Sequence, residues 1–298
     1  MTYCVGIKLN QGMVFLSDTR TNAGVDLINR FRKMTVFEIT GERTIVLMTA
    51  GNLSISQSVV QLLQSQTGNE ANSSLWNATN MFEAARLVGQ AIRDIHEHDA
   101  KALGEFHVDF NVSFIIGGQI HGEEMRLFQV YAAGNFIEAT QENPFFQIGE
   151  AKYGKPILDR VITPELSLDD AAKCALVSMD STLQSNISVG LPLDLLVYEQ
   201  NALRVTKFSR ITNDNPYFQM IHREWGKRLL SAFNEMAPPI WNAHPELSVS
   251  DETDQLVRPI IAQRRVNTTH TEATTTATVR TAPEAEQKPT IQTMAEHY

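Results

Sequence analysis

The spacing of apolar residues along this chain switches between period two and period 3.6 and back, and the order of the switches limits the folds open to it. Tyr3, Val5 and Ile7 alternate with smaller or polar positions, Asn10-Gln11-Gly12 supplies a turn, and Met13 to Ser17 returns. Met34 to Ile39 and Thr44 to Thr49 make a second pair around Thr40-Gly41-Glu42. After Ala50-Gly51 the spacing turns helical, through Leu53, Val59, Val60, Leu62 and Leu63, then through Met81, Ala84, Val88, Ile92 and Ile95. Alternation resumes at Val108, Phe110, Val112, Phe114 and Ile116, stops at Gly117-Gly118, and continues over Met125 to Tyr131 and Phe136 to Thr140. Helical spacing reappears over Lys152 to Val161 and Leu168 to Leu183. Ser167 is placed to cap the second of these, with Asp169 and Asp170 matching the dipole of its first turn. Leu193 to Glu199 reads as a further strand. A sheet or helix cannot hide its apolar face alone, so this order predicts an α+β fold. It is a four-layer αββα sandwich, two stacked sheets with a helix pair on each outer side.

Tyr217 to Trp241 carries Phe218, Ile221, Trp225, Leu229, Leu230 and Phe233 at helical spacing and ends at Pro238-Pro239, which predicts a C-terminal helix packed on the domain or on a neighbouring subunit. Beyond about Pro245 the large apolar residues thin out, and Asn267 to Thr278 is mostly Thr, Ala and Glu without a period. Such a segment cannot bury enough surface to offset its ordering entropy. The expected organisation is one domain over residues 1–243 and a disordered tail over 244–298.

Composition excludes several function classes. A formal charge of −9 and a pI near 5.4 do not suit a phosphate-tracking surface, so no nucleic-acid partner is expected. Two cysteines, Cys4 and Cys174, without metal-ligand spacing, argue against a disulfide scaffold and fit a reducing compartment. No basic segment followed by an apolar run opens the chain, and no stretch suits a membrane helix, so a soluble cytoplasmic protein is expected. A Gly-rich phosphate loop, HExxH and GxSxG are all absent. His96 and His98 are two apart and point in different directions on a helix, and His107 has no partner at ligand spacing; no metal or organic cofactor is expected.

Thr2 stands directly before the first strand, behind a Met1 whose removal a small second side chain favours. Once exposed, such a threonine carries two roles. Its hydroxyl can attack a carbonyl while its own α-amine, with a reference pKa of about 8, takes the proton. Ser17-Asp18-Thr19-Arg20-Thr21 ends the second strand, Phe31-Arg32-Lys33 precedes the third, and Ala50-Gly51 follows the fourth. Taken singly, an Asp at a strand end serves as a turn acceptor, a Lys as a solvated charge and a Gly as a helix opener.

Taken together, Thr2, Asp18, Arg20, Lys33 and Ala50-Gly51 resemble the proteasome family in kind and order. The opening TYCVGIKLNQGMVFLSDTRTNAGVD, with FRKM and TAGNLS after it, is similar to the bacterial Anbu branch of that family, itself similar to the HslV peptidase. The resemblance spans about residues 2 to 243 and implies threonine-type peptidase activity on peptides or unfolded proteins. It also implies a homo-oligomer, as a closed ring or an open spiral, and brings no dedicated ATPase partner. Lys33 would be the cation that lowers the pKa of the Thr2 amine, Asp18 its buried counter-ion, Arg20 a brace for the loop and the Gly51 N–H an oxyanion donor. The family's Gly-Ser-Gly loop corresponds to Gly149-Glu150-Ala151, so Glu150 replaces a hydroxyl. A carboxylate facing the amine would raise the amine's pKa and weaken it as a base. Asp180 matches a family aspartate, and the serine that follows it corresponds to Ser181, Ser185 or Ser188, with Ser188-Val189-Gly190 the favoured segment. Thr21, Phe31, Thr49 and Leu53 are the implied pocket residues, which suits small or apolar side chains. Two other functions compete with the peptidase reading: a small-molecule amidase with the same nucleophile, and a non-catalytic binding assembly.

Overall fold

The structure, a computed structural model, describes residues 1–23, 27–66 and 73–239. From the N-terminus the chain forms β1 (Tyr3–Leu9), β2 (Gly12–Asp18), β3 (Arg20–Ala23), β4 (Leu27–Arg30), β5 (Met34–Ile39) and β6 (Arg43–Gly51). Two helices follow, α1 (Leu53–Ser65) and α2 (Met81–Glu105), then β7 (Val112–Ile120), β8 (Arg126–Val130), β9 (Phe136–Glu138) and β10 (Phe145–Gly149). A short 3₁₀ turn leads into α3 (Lys155–Val161) and α4 (Leu168–Ser185), and β11 (Leu193–Glu199), β12 (Lys207–Ile211) and α5 (Pro216–Asn234) complete the described chain.

The strands assemble into two five-stranded antiparallel sheets, β10-β1-β2-β11-β12 and β5-β6-β7-β8-β9, with β3 and β4 as a separate hairpin. Alternation along the central strands deals their side chains to different apolar layers. In β1, Tyr3, Val5 and Ile7 face α3 and α4, while Cys4 faces the other sheet; in β2, Val14 and Leu16 take the first side, Met13 and Phe15 the second. In β6, Ile45 and Leu47 meet α1 and α2, whereas Val46 and Met48 return to the middle layer. Both faces of these strands are covered, so β2 is buried at every position. The result is the expected four-layer αββα sandwich.

Several elements depart from sequence expectation. The strand run after the first two helices was expected from Val108 to Gly117-Gly118, but β7 starts at Val112 and continues through both glycines to Ile120. It does so because β6 and β8 pair with it on either side and hold it extended. The hairpin β3–β4 and the edge strands β10 and β12 carry no clear alternation and were not expected. In β12, four of the five residues are exposed. Helix α5 ends at Asn234, short of Trp241, which lies outside the described residues. Its inner face, Phe218 and Ile221, joins the α3–α4 layer. Side-chain caps hold helix starts where backbone N–H groups lack partners: Asn52 for α1, Asn80 for α2, Ser167 for α4 and Asn215 for α5. Residues Met1–Ala237 make one compact unit. The second unit, Pro238–Tyr298, falls outside the described residues from position 240 onward, and with it the expected disordered tail.

Candidate active site

The end of β2 and the segment before β5 create a buried ion pair at the start of β1. Lys33 Nζ donates to Asp18 Oδ1 at 2.6 Å and to the Arg20 carbonyl at 2.6 Å, with Lys33 4% and Asp18 0% exposed. The same Oδ1 accepts from the Tyr3 N–H at 3.0 Å. That N–H belongs to the peptide joining Thr2 to Tyr3, so the ammonium lies two hydrogen bonds from the Thr2 backbone. Asp18 Oδ2 accepts from the Arg20 N–H at 3.2 Å and, more weakly, from the Gly190 N–H at 3.4 Å. Burial pushes the Asp18 carboxyl above its ordinary value, while Lys33 and the Tyr3 and Gly190 N–H donors pull it back. Arg20 extends from the other side of the same loop, its Nη1 donating to the Ile187 carbonyl at 2.8 Å.

Thr2 is buried to 9% exposure, behind a Met1 that is 59% exposed. Its carbonyl accepts from the Glu150 N–H at 2.7 Å, which ties the residue to the end of β10. Gly149 must be glycine there: its φ is +83°, and a Cβ would sit 1.9 Å from the Thr2 carbonyl oxygen. The Glu150 side chain is mostly buried. Its Oε2 makes no hydrogen bond and lies 3.6 Å from the exposed Lys152 ammonium.

Gly51 closes β6 with φ +105°, where an added Cβ would lie 2.3 Å from the Asn111 carbonyl oxygen. Only glycine fits both conditions. Asn52 follows at once, donating its N–H to the Asn111 carbonyl at 2.7 Å and capping α1. The four residues expected to line a substrate pocket fall on neighbouring segments: Thr49 is buried on β6, with its N–H bonded to the Lys33 carbonyl at 3.0 Å. Phe31 is exposed and bonded through its N–H to the Thr19 carbonyl, Thr21 lies next to Arg20 with its hydroxyl buried and unpartnered, and half-buried Leu53 opens α1.

Asp180 and Ser188 are arranged differently. Asp180, buried on α4, accepts from His222 Nδ1 of α5 at 2.7 Å, and Ser188 sits in the turn after α4 with its N–H on Asn186 Oδ1 at 2.9 Å. Neither hydrogen bonds to Thr2. Sequence reasoning missed His222, because its partner is 42 residues away and no spacing links the two. It also missed the network of the Tyr3 hydroxyl with Ser178 Oγ and Gln147 Nε2, both at 2.5 Å, which fastens β1 to α4 and β10. Cys4 is no rival nucleophile: burial raises its thiol pKa far above the usual range, and the same cause pushes Cys174 up to about 12. Among the described residues no group of three His, Cys, Asp or Glu side chains is arranged to hold a metal ion.

Two stacked antiparallel sheets between helix layers, with a Lys–Asp pair under the first residues of the first strand, define the N-terminal-nucleophile hydrolase fold of the proteasome type. The family model for the proteasome subunit matches residues 2–194, and the chain belongs to the proteasome family. Among solved structures it is similar to Anbu, the ancestral beta-subunit, of Yersinia bercovieri, with 49% identity and a TM-score of 0.75 over 80% of this chain and 99% of that one. It is likewise similar to the helical assembly of the Anbu complex from Pseudomonas aeruginosa, at 45% identity and TM-score 0.76 over 80% and 98%. A curated relative, proteasome subunit beta 1 of Saccharolobus islandicus, is 25% identical over 63% of this chain and 81% of its own length.

Proposed function

We propose that the chain is a threonine-type peptidase whose nucleophile is Thr2, freed by removal of Met1. The observation that carries this reading is the buried Lys33 ammonium, held by Asp18 and the Arg20 carbonyl two hydrogen bonds from the Thr2–Tyr3 peptide. A fixed cation there disfavours protonation of the Thr2 amine and shifts its pKa toward working pH. The amine then accepts the hydroxyl proton as Thr2 Oγ1 attacks the peptide carbonyl, and returns it to the leaving amine as the C–N bond breaks. An ester on Thr2 remains, and water, deprotonated by the same amine, hydrolyses it. The Gly51 N–H serves the oxyanion, Arg20 braces the Asp18 loop, and Asp180 and Ser188 act from the α4 end. Thr21, Phe31, Thr49 and Leu53 favour small or apolar substrate side chains.

The working form is proposed to be a homo-oligomer in the cytoplasm. Leu229, Leu230 and Phe233 stand 52%, 60% and 68% exposed along the last turns of α5, an apolar surface suited to a second copy, and one Anbu relative is described as a helical assembly. Peptides or unfolded proteins are the proposed substrates.

One observation favours a second reading, a weakly active or non-catalytic assembly. Glu150 stands beside Thr2 with a buried carboxylate oxygen that nothing hydrogen bonds. If it takes up the freed amine as an ammonium, the base is lost. Intact-mass spectrometry before and after a peptide epoxyketone decides between the two. Loss of Met1 with one adduct on Thr2 is expected, and Glu150→Ser is expected to speed labelling at neutral pH. A free Thr2 that the epoxyketone does not label in either form would establish the assembly reading instead.

A further inference from the structure

A cavity of about 770 Å³ opens behind the Asp18 loop, between the β3–β4 hairpin, the turn after α4 and the first half of α5. Thr2 is not among its walls. Arg20, Arg30 and His222 line it together with Ile187, Leu191 and Phe218, and among the described residues neither Asp nor Glu belongs to the lining. In a chain of net charge −9, a cavity walled by two guanidiniums and no carboxylate is a selective feature.

The two arginines are also cross-strand partners, Arg20 directly opposite Arg30 in the hairpin register. Like charges so placed disfavour a strand pair, less so where water screens them as it does exposed Arg30, and an anion between them would relieve the repulsion. Arg20 spends only Nη1, on the Ile187 carbonyl, and Arg30 has no acidic partner within ion-pair distance among the described residues. Two acids lie close by: Asp180 accepts from His222 of the cavity wall, and Asp214, which shares a neighbouring hollow with Arg30, accepts from the Thr212 hydroxyl. We infer that this cavity binds an organic anion with an apolar body, a carboxylate seated between Arg20 and Arg30 and its aliphatic or aromatic part against Ile187, Leu191 and Phe218.

Guanidiniums match carboxylates by paired N–H donation, and the volume falls in the range of small-ligand sites. The chemistry fits the C-terminus of a short apolar peptide and a free branched carboxylic acid alike. Because the backbone N–H groups of Arg20 and Gly190, both in the cavity wall, also hold Asp18, an occupant would stiffen the support of the Lys33 pair. The inference stands apart from the hydrolytic reading, since binding here needs no reactive Thr2.

The test is calorimetric titration of the full-length Thr2→Ala protein, which cannot turn the probe over, with N-acetyl-leucyl-leucine, its C-terminal amide and 4-methylpentanoate. The free acid is expected to bind, the amide to bind about tenfold more weakly or worse, and added salt to weaken the acid but not the amide. Arg30→Gln is expected to lose about tenfold for the acid, whereas Arg30→Lys keeps the preference for acid over amide. A peptide acid that outbinds 4-methylpentanoate assigns the site to peptide termini; equal binding assigns it to small acids. Equal affinity for acid and amide, undiminished binding in Arg30→Gln, or no binding of either acid at millimolar concentration would overturn the anion site.

Discussion

Lys33 and Asp18 are stable in their buried positions only as a pair. Removing one partner leaves an uncompensated charge in a low-dielectric site, at a cost of about 3–5 kcal/mol, whereas removing both with apolar or neutral isosteres is far milder. Lys33→Met is therefore expected to lower stability by about that amount, and Lys33→Met combined with Asp18→Asn to recover a large part of it, read by urea denaturation. On the proposed mechanism, peptidase turnover is expected to fall by about a hundredfold or more in both, because the freed Thr2 amine loses its neighbouring cation either way. The pH dependence carries an unusual sign. Because burial raises the Asp18 pKa, the folded chain holds that proton more tightly than the unfolded chain does, so this group adds stability as pH falls through its raised value. Over the same window it ceases to be the counter-ion of Lys33. The acid limb of kcat/KM is expected above the ordinary carboxylate range, where a neutral Asp18 leaves the Lys33 ammonium without its counter-ion.

At the scale of elements, the site depends on how β6 ends and α1 begins. Gly51 is the last ladder residue, opposite Val112, and its φ of +105° turns the chain out of β6 so that Asn52 can cap α1. Gly51→Ala meets both the φ penalty and the Asn111 carbonyl at 2.3 Å, for an expected destabilisation of roughly 2–4 kcal/mol. Turnover should fall by about a hundredfold, since the displaced amide no longer meets the oxyanion. Gly41→Ala is the control: its φ is +82° but no atom lies within 4 Å of an added Cβ, so only the backbone penalty of about 1 kcal/mol applies. Thermal unfolding of the two variants side by side separates close approach from conformation alone.

For the molecule as a whole, the three apolar layers account for the inner surfaces of the sheets and helices, and among the described residues they leave the apolar end of α5 uncovered within the monomer. Helix α5 is buried at Phe218 and Ile221 but exposed at every position from 226 to its end, so Leu230 and Phe233 have no cover within the monomer. Leu230→Glu with Phe233→Glu places two charges on that exposed end and none in the core. The expected outcome is a shift to smaller species in light scattering and electron microscopy with unchanged monomer unfolding. Unchanged assembly in the double variant would move the contact surface off α5.

The sequence determined the class of fold, because period-two and period-3.6 spacing are properties of single elements and each demands burial of one face or both. Thr2, Asp18, Arg20, Lys33 and Gly51 stand out as a group only through their resemblance in kind and order to the proteasome family, since each taken singly has an ordinary role at a strand end or turn. The short edge strands β10 and β12 escaped notice because five residues, Phe145–Gly149 and Lys207–Ile211, are too few for their spacing to declare a period, and β7 outran its glycines because its neighbours, not its own residues, hold it extended. The partners of Asp180 and the pairing of Arg20 with Arg30 were decided only by tertiary structure. Each joins side chains from separate elements, and such a contact depends on register and packing angle, which no local spacing encodes.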